Sequence, residues 1–212
     1  MSFFRHVLLV LLSLCLLAGC QSSVEPQRLI MPDLVVAVAP FTQPTQTTEL
    51  LSGFIPEDQK KISEETLNAL DDLFREKLHP TKHPYVFLSD ADISGDMARD
   101  ARGRRNALVT WAERARKAGA DMIVVPQIIT LQERVGSKAG VVTAAAVNED
   151  FYLIDARDPV TLVMRSHFAE EQKPLTSDLT KIGTFFKRGG GWVTARELAA
   201  EGMDKAVEEF GL

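Results

Sequence analysis

Cysteine is nearly absent from this chain: of 212 residues only Cys15 and Cys20 carry a thiol. Both lie near the N-terminus, so no disulfide framework or cysteine metal site can brace the rest, which must be held by its core. Histidine is scarce too, with four copies. His79 and His83 have ligand-like spacing, but Pro80 and Pro84 break the helix that would put them on one face. The formal charge of −5 argues against general affinity for nucleic acid. No apolar run reaches the ~20 residues of a bilayer span, the longest being Val7 to Leu17, interrupted by Ser13.

That short apolar run is informative for what surrounds it. Arg5 precedes it and Leu17-Ala18-Gly19-Cys20 closes it, which gives a basic n-region, a short h-region and small residues before a cut. With cysteine after the small residues, the segment resembles a bacterial lipoprotein signal. The resemblance implies that residues 1–19 are removed and that Cys20 becomes an acylated N-terminus, palmitate being among the expected chains. At ~0.8 kcal/mol per buried methylene, two chains suffice for stable residence in a membrane. Gln21, where inner-membrane retention is usually signalled by Asp, implies the periplasmic face of the outer membrane. An uncleaved anchor is the alternative. Residues 20–32, with Pro26 and Pro32 and no periodicity, read as a tether, and residues 33–212 as one domain. Removing Arg5 with the signal leaves 23 basic against 29 acidic residues, or −6.

Within the domain, Leu34-Val-Val-Ala-Val-Ala39 reads as a strand buried on both faces and stopped by Pro40. Leu67, Leu70, Phe74 and Leu78 predict a helix over Ser63–Leu78. Tyr85–Leu88 predicts a strand, and Leu108, Trp111, Ala112 and Ala115 predict a helix ending at Gly119. Alternation of strand and helix predicts parallel pairing. Met122–Leu131 is a third strand, in which Pro126 predicts a bulge or an edge position. Turns at Gly136–Gly140 and Arg157–Pro159 then predict an antiparallel meander through Val141–Ile154 and Thr161–Phe168. Helices are expected over Thr176–Lys187 and after a Thr194/Glu197 capping box, with Leu198, Met203, Val207 and Phe210 inward. The fold class is therefore a three-layer α/β domain: a mixed sheet, parallel in its N-terminal part and an antiparallel meander in its C-terminal part, flanked by helices.

The motifs Val36-Ala-Val-Ala-Pro-Phe41, Ala118-Gly-Ala-Asp-Met-Ile-Val-Val125, Tyr152-Leu-Ile-Asp-Ala156 and Thr161-Leu-Val-Met164 resemble the CsgG-like group of envelope proteins. That group includes the TolB N-terminal domain, the LpoB activators of penicillin-binding proteins and the curli exporter CsgG. Each motif marks a strand and its turn, not a chemical group, so the resemblance implies a fold before it implies a task.

Catalytic patterns are thin. Gly136-Ser-Lys-Ala-Gly140 places its serine wrongly for a nucleophile elbow and reads as a hairpin turn. The acid pairs Asp71/Asp72 and Glu170/Glu171 are expected on solvated faces. Asp90, Asp92, Ser94 and Asp96, with Gly95 at the sixth position, begin like a calcium loop. Ala101 replaces the bidentate glutamate and Asp100 stands one residue early, so the alternatives are a weak calcium site and a solvated helix-capping loop. Arg99, Arg102, Arg104 and Arg105 either pair with these aspartates or contact anionic lipid or a cell-wall polymer. Trp192, after three glycines, is either the hydrophobic staple of the last helix or a partner anchor.

The expected function is a non-enzymatic accessory or scaffold lipoprotein that binds envelope proteins or a cell-wall polymer. It would be held to the membrane by its lipid and need no cofactor beyond it, apart from the calcium alternative. Two alternatives are a homo-oligomeric subunit of an outer-membrane secretion assembly and an envelope hydrolase.

Overall fold

The computed structural model describes residues 34–81, 83–138, 140–172, 183, 186 and 188–212. A five-stranded sheet forms its middle layer. It contains β1 (Val36–Val38), β2 (Tyr85–Phe87), β3 (Met122–Gln132), β6 (Ala146–Asp155) and β7 (Thr161–Glu171), in the order β2-β1-β3-β6-β7. β1 pairs in parallel with β2 and β3, while β3–β6 and β6–β7 are antiparallel. β4 (Val135–Gly136) and β5 (Val141–Thr143) form a separate two-stranded hairpin. The single expected strand Val141–Ile154 is thus divided into β5 and β6.

The period of two in the strands sorts residues between two cores. Val36, Val38, Met122, Val124, Phe151 and Leu153 face α1 (Glu64–Leu78) and α4 (Ala195–Phe210), meeting Leu70, Phe74 and Leu78 of the first and Leu198, Met203 and Phe210 of the second. Ala37, Ala39, Ile123, Val125, Tyr152 and Ile154 face α3 (Ala107–Lys117) through Ala107, Trp111, Ala112 and Ala115. Phe41, Phe74 and Phe151 pack ring against ring at centroid separations of 6.0, 5.8 and 5.4 Å, joining the end of β1 to α1 and β6. A four-residue helix, α2 (Asp90–Ile93), precedes α3.

Local chemistry sets the helix ends. The Ser63 hydroxyl accepts from Thr66 N, the Asn106 side chain from Val109 N, and Thr194 and Glu197 form the expected capping box. Val193, at the position before that cap, is buried in the same cluster as Leu198. Val193 therefore occupies the staple position considered for Trp192. Of the helix expected over 176–187, only Gly183 and Phe186 are described, both helical; the remainder lies outside the described residues.

Pro126 does not mark an edge. β3 is the central strand, and its bulge lies between Ile128 and Thr130. The Pro126 carbonyl accepts from Thr42 N, so this residue turns its polar backbone toward β1, whose pairing with β3 has ended at Val38. The missing N–H therefore falls beyond the end of a short neighbour, which makes proline tolerable in mid-sheet.

Candidate functional site

Cys20, the expected lipidation residue, lies outside the described residues, as does the rest of the expected tether, residues 21–32. The aspartate segment forms α2 and its flanks. The Asp92 carboxylate accepts from both the N–H and the hydroxyl of Ser89, at 2.8 and 2.6 Å, and these bonds hold its pKa below the usual carboxylate range. Asp100 is engaged in its own turn, accepting from Arg104 Nε and Nη2 and from the Arg102 and Arg104 amides; its pKa is likewise lowered, first by the Arg104 side chain. Among the described residues no group of three or more His, Cys, Asp or Glu side chains is arranged to hold a metal ion.

Arg99, Arg102, Arg104 and Arg105 are all exposed, on a turn pinned by a bridge between Arg99 and Arg105. Arg104 pairs with Asp100, and Arg99 Nη1 donates to Gly103 O. Trp192 is half-buried and its main chain is held on both sides: its N–H donates to Lys138 O and its carbonyl accepts from Arg134 Nη1. A Cβ on Gly191 would come within 2.6 Å of the Lys138 side chain, so the glycine lets this segment lie flat on the β4–β5 hairpin. In that hairpin Ser137 N donates to Gly140 O, as a strand-to-strand turn requires.

Several polar groups emerge only from tertiary structure. Asp150, its side chain 3% exposed, accepts from Arg165 Nε at 2.8 Å and Nη2 at 3.0 Å, and sits 2.9 Å from His167 Nδ1. With both oxygens held by a permanent cation, Asp150 is a closed structural pair. Asp71, expected in solvent, is half-buried and accepts from Phe41 N at 2.6 Å; burial, the largest cause, raises its pKa to about 6. Glu170 is likewise mostly covered, 3.8 Å from Arg188. Glu149 is fully buried under Gly202 of α4, and neither carboxyl oxygen has a hydrogen-bond partner among the described residues; burial first, then Asp150, raises its pKa well above the ordinary value.

A cavity of about 320 Å³ opens where the loop after β1 meets α3. β1 connects to β2 over one face through α1, and β2 to β3 over the other through α3. The cavity therefore sits at the switch point of the parallel half, where open α/β sheets place their ligands. The Thr110 hydroxyl accepts from Ala98 N and donates to Asn106 O, while Gln127 bonds Leu51 N and Glu49 O, which fixes two walls.

No family model and no curated protein matches this chain. Solved structures do. A PelC dodecamer from Paraburkholderia phytofirmans is similar over 84% of this chain and 91% of its own, at 12% identity and a TM-score of 0.45. The lipoprotein GNA1162 from Neisseria meningitidis is similar over 74% and 98%, at 9% identity and 0.38. The LpoB C-terminal domain from Salmonella enterica is similar over 66% and 84%, at 14% identity and 0.34. These likenesses concern the arrangement of strands and helices; none assigns a residue a task.

Proposed function

We propose that this chain is a lipoprotein of the bacterial envelope, held through acylated Cys20 at the periplasmic face of the outer membrane, and that its domain works by binding envelope partners rather than by catalysis. The observation that carries the reading is the lipobox Leu17–Cys20 followed closely by a single α/β/α domain. The thirteen residues 21–33 separate Cys20 from the first described residue, Leu34. Fully extended they reach ~45 Å, so the domain would meet partners near the membrane surface. The CsgG-like resemblance of the strand motifs supports the same reading.

A second reading, an oligomeric outer-membrane assembly, is favoured by β7. Among the described residues nothing pairs with its outer edge, and it carries the exposed Leu162 and Val163. Open strands of this kind recruit further strands.

Cys20→Ser decides the anchor. Expressed in a Gram-negative cell, the variant is expected to leave the membrane fraction for the soluble periplasm with unchanged thermal unfolding. Retention in the membrane would overturn the lipid anchor. Crosslinking of the acylated protein in its own cells then distinguishes self-contact along β7 from contact with other envelope proteins.

A further inference from the structure

The cavity beside β1 holds two polar groups that the fold leaves without partners. Arg114, on α3, is half-buried, and its guanidinium makes no hydrogen bond or ion pair with any described residue, lying 4.7 Å from the Trp111 ring centroid. The Thr42 hydroxyl is buried and has no hydrogen-bond partner among the described residues. An arginine half-withdrawn from water without a counter-charge loses part of its hydration, and burial accordingly lowers its pKa. A folded domain keeps such a group where something else supplies the acceptor.

The remaining walls narrow the chemistry. Ile93, Met97 and Trp111 give an apolar side, and Glu49 contributes a carboxylate whose Oε2 already accepts from Thr45 and Gln46. Arg114 and Glu49 leave the wall without net charge, which suits a monoanion better than a dianion. Access favours an anion as well. The turn bearing the exposed Arg99, Arg102, Arg104 and Arg105 joins Met97 to Ala107, two residues of the cavity wall, so the segment that links these wall residues is rich in positive charge. Positive charge around an opening raises the local concentration of anions. A volume of about 320 Å³ is at the small end of ligand pockets.

We propose that this cavity is a binding site for a small organic monocarboxylate, whose carboxylate takes the fork of Arg114 and the Thr42 hydroxyl while its apolar body lies against Ile93, Met97 and Trp111. The two oxygens of a carboxylate match the planar guanidinium, and the desolvated surroundings strengthen the pair. The site is independent of the anchor and of the partner surface, and stands or falls without them.

The test uses the full chain in detergent and three probes with one aryl body: benzoate, benzamide and phenyl phosphate, titrated by calorimetry and by ligand-observed NMR. Benzoate is expected to bind at millimolar concentration and the other two more weakly. Arg114→Gln should weaken benzoate roughly ten- to hundredfold, as loss of a charge-assisted hydrogen bond does. Thr42→Val, a near-isosteric change, should weaken it less and keep the unfolding temperature. If Arg114→Gln does not fold, the head-group order in the wild type and the Thr42→Val result still decide. Equal binding of benzoate and benzamide, tighter binding of phenyl phosphate, an unaltered benzoate affinity in Arg114→Gln, or no binding of benzoate would each overturn the proposal.

Discussion

Replacing Glu149 by glutamine should stabilise this protein at neutral pH and flatten its pH dependence. The side chain is 0% exposed, and both carboxyl oxygens lack hydrogen-bond partners among the described residues. Burial pushes its pKa well above 4.5, with Asp150 adding to the shift. The folded protein therefore keeps this proton at a pH where the unfolded chain releases it. Above pH ~4.5 the unfolded state binds fewer protons, so stability falls as pH rises, by up to ~1.4 kcal/mol per pH unit, until the folded group also ionises. Between pH 5 and pH 7 that amounts to as much as ~2.7 kcal/mol. Glutamine has the same shape and no proton to lose. Glu149→Gln should thus match wild type near pH 4.5 and gain on it progressively as the pH rises toward 7. Glu149→Met, which also removes the unpaired polar group, should add about 1–3 kcal/mol at every pH. Urea midpoints at pH 5, 6 and 7 with unchanged m-values measure this directly. A Gln variant with the same pH slope as wild type would refute the reasoning, since the carboxyl would then be solvated or paired.

Three further outcomes follow from the same structure. Asp71→Asn keeps an oxygen for Phe41 N but has no carboxyl proton, so it should remove a fall in stability between about pH 4 and pH 6, worth ~1–2 kcal/mol after allowing for its partial exposure; urea midpoints across that window would show it. Phe151→Ala opens the contact with Phe41 and Phe74 and should cost ~3–5 kcal/mol in denaturant unfolding. Calcium should shift the melting temperature of wild type and Asp92→Ala equally, because Asp92 Oδ2 already accepts both Ser89 donors; a shift in wild type alone would establish an ion site.

The layers of this fold were legible where periodicity is long and uniform. Leu70, Phe74 and Leu78 mark the inner face of α1, and Pro40, Pro80, Gly119 and Gly211 sit just past the ends of β1, α1, α3 and α4. Pairing a capping residue with its glutamate located α4. The polar sites were hidden for specific reasons. Asn148-Glu149-Asp150 is a polar stretch within the expected strand Val141–Ile154, yet α4 covers its middle residue, because a glycine at 202 lets the helix approach; a Cβ there would lie 1.9 Å from Glu149 Oε1. The turn after β6 suggests a register that would set Asp150 opposite Ser166. An extra residue in β7, at the break between the Leu153↔Met164 and Ile154↔Leu162 pairs, instead sets Asp150 opposite His167 and beside Arg165. The cavity draws on four separate stretches, 42–49, 93–97, 107–114 and position 127, whose meeting depends on α3 crossing the sheet.

Trp192 shows how tertiary contacts change the meaning of a motif. Three glycines before an aromatic suggest a segment that orders only on a partner, at a large entropic cost. Here the glycines instead permit close approach: Gly191 lies against Lys138, and the N–H and carbonyl of Trp192 are bonded to Lys138 in the turn of the β4–β5 hairpin and to Arg134 just before β4. Arg188, 9% exposed and bonded to Glu201, ties the other end of the segment to α4. The entropy of this stretch has therefore been lost in folding, and a partner meeting Trp192 would meet an ordered ring. With Val193 in the staple position, the half-buried Trp192 is not needed to fix the entry of α4. A partner contact at Trp192 would therefore start from a main chain already fixed, and a pre-ordered anchor binds more tightly for the same contact area than one that must first be immobilised.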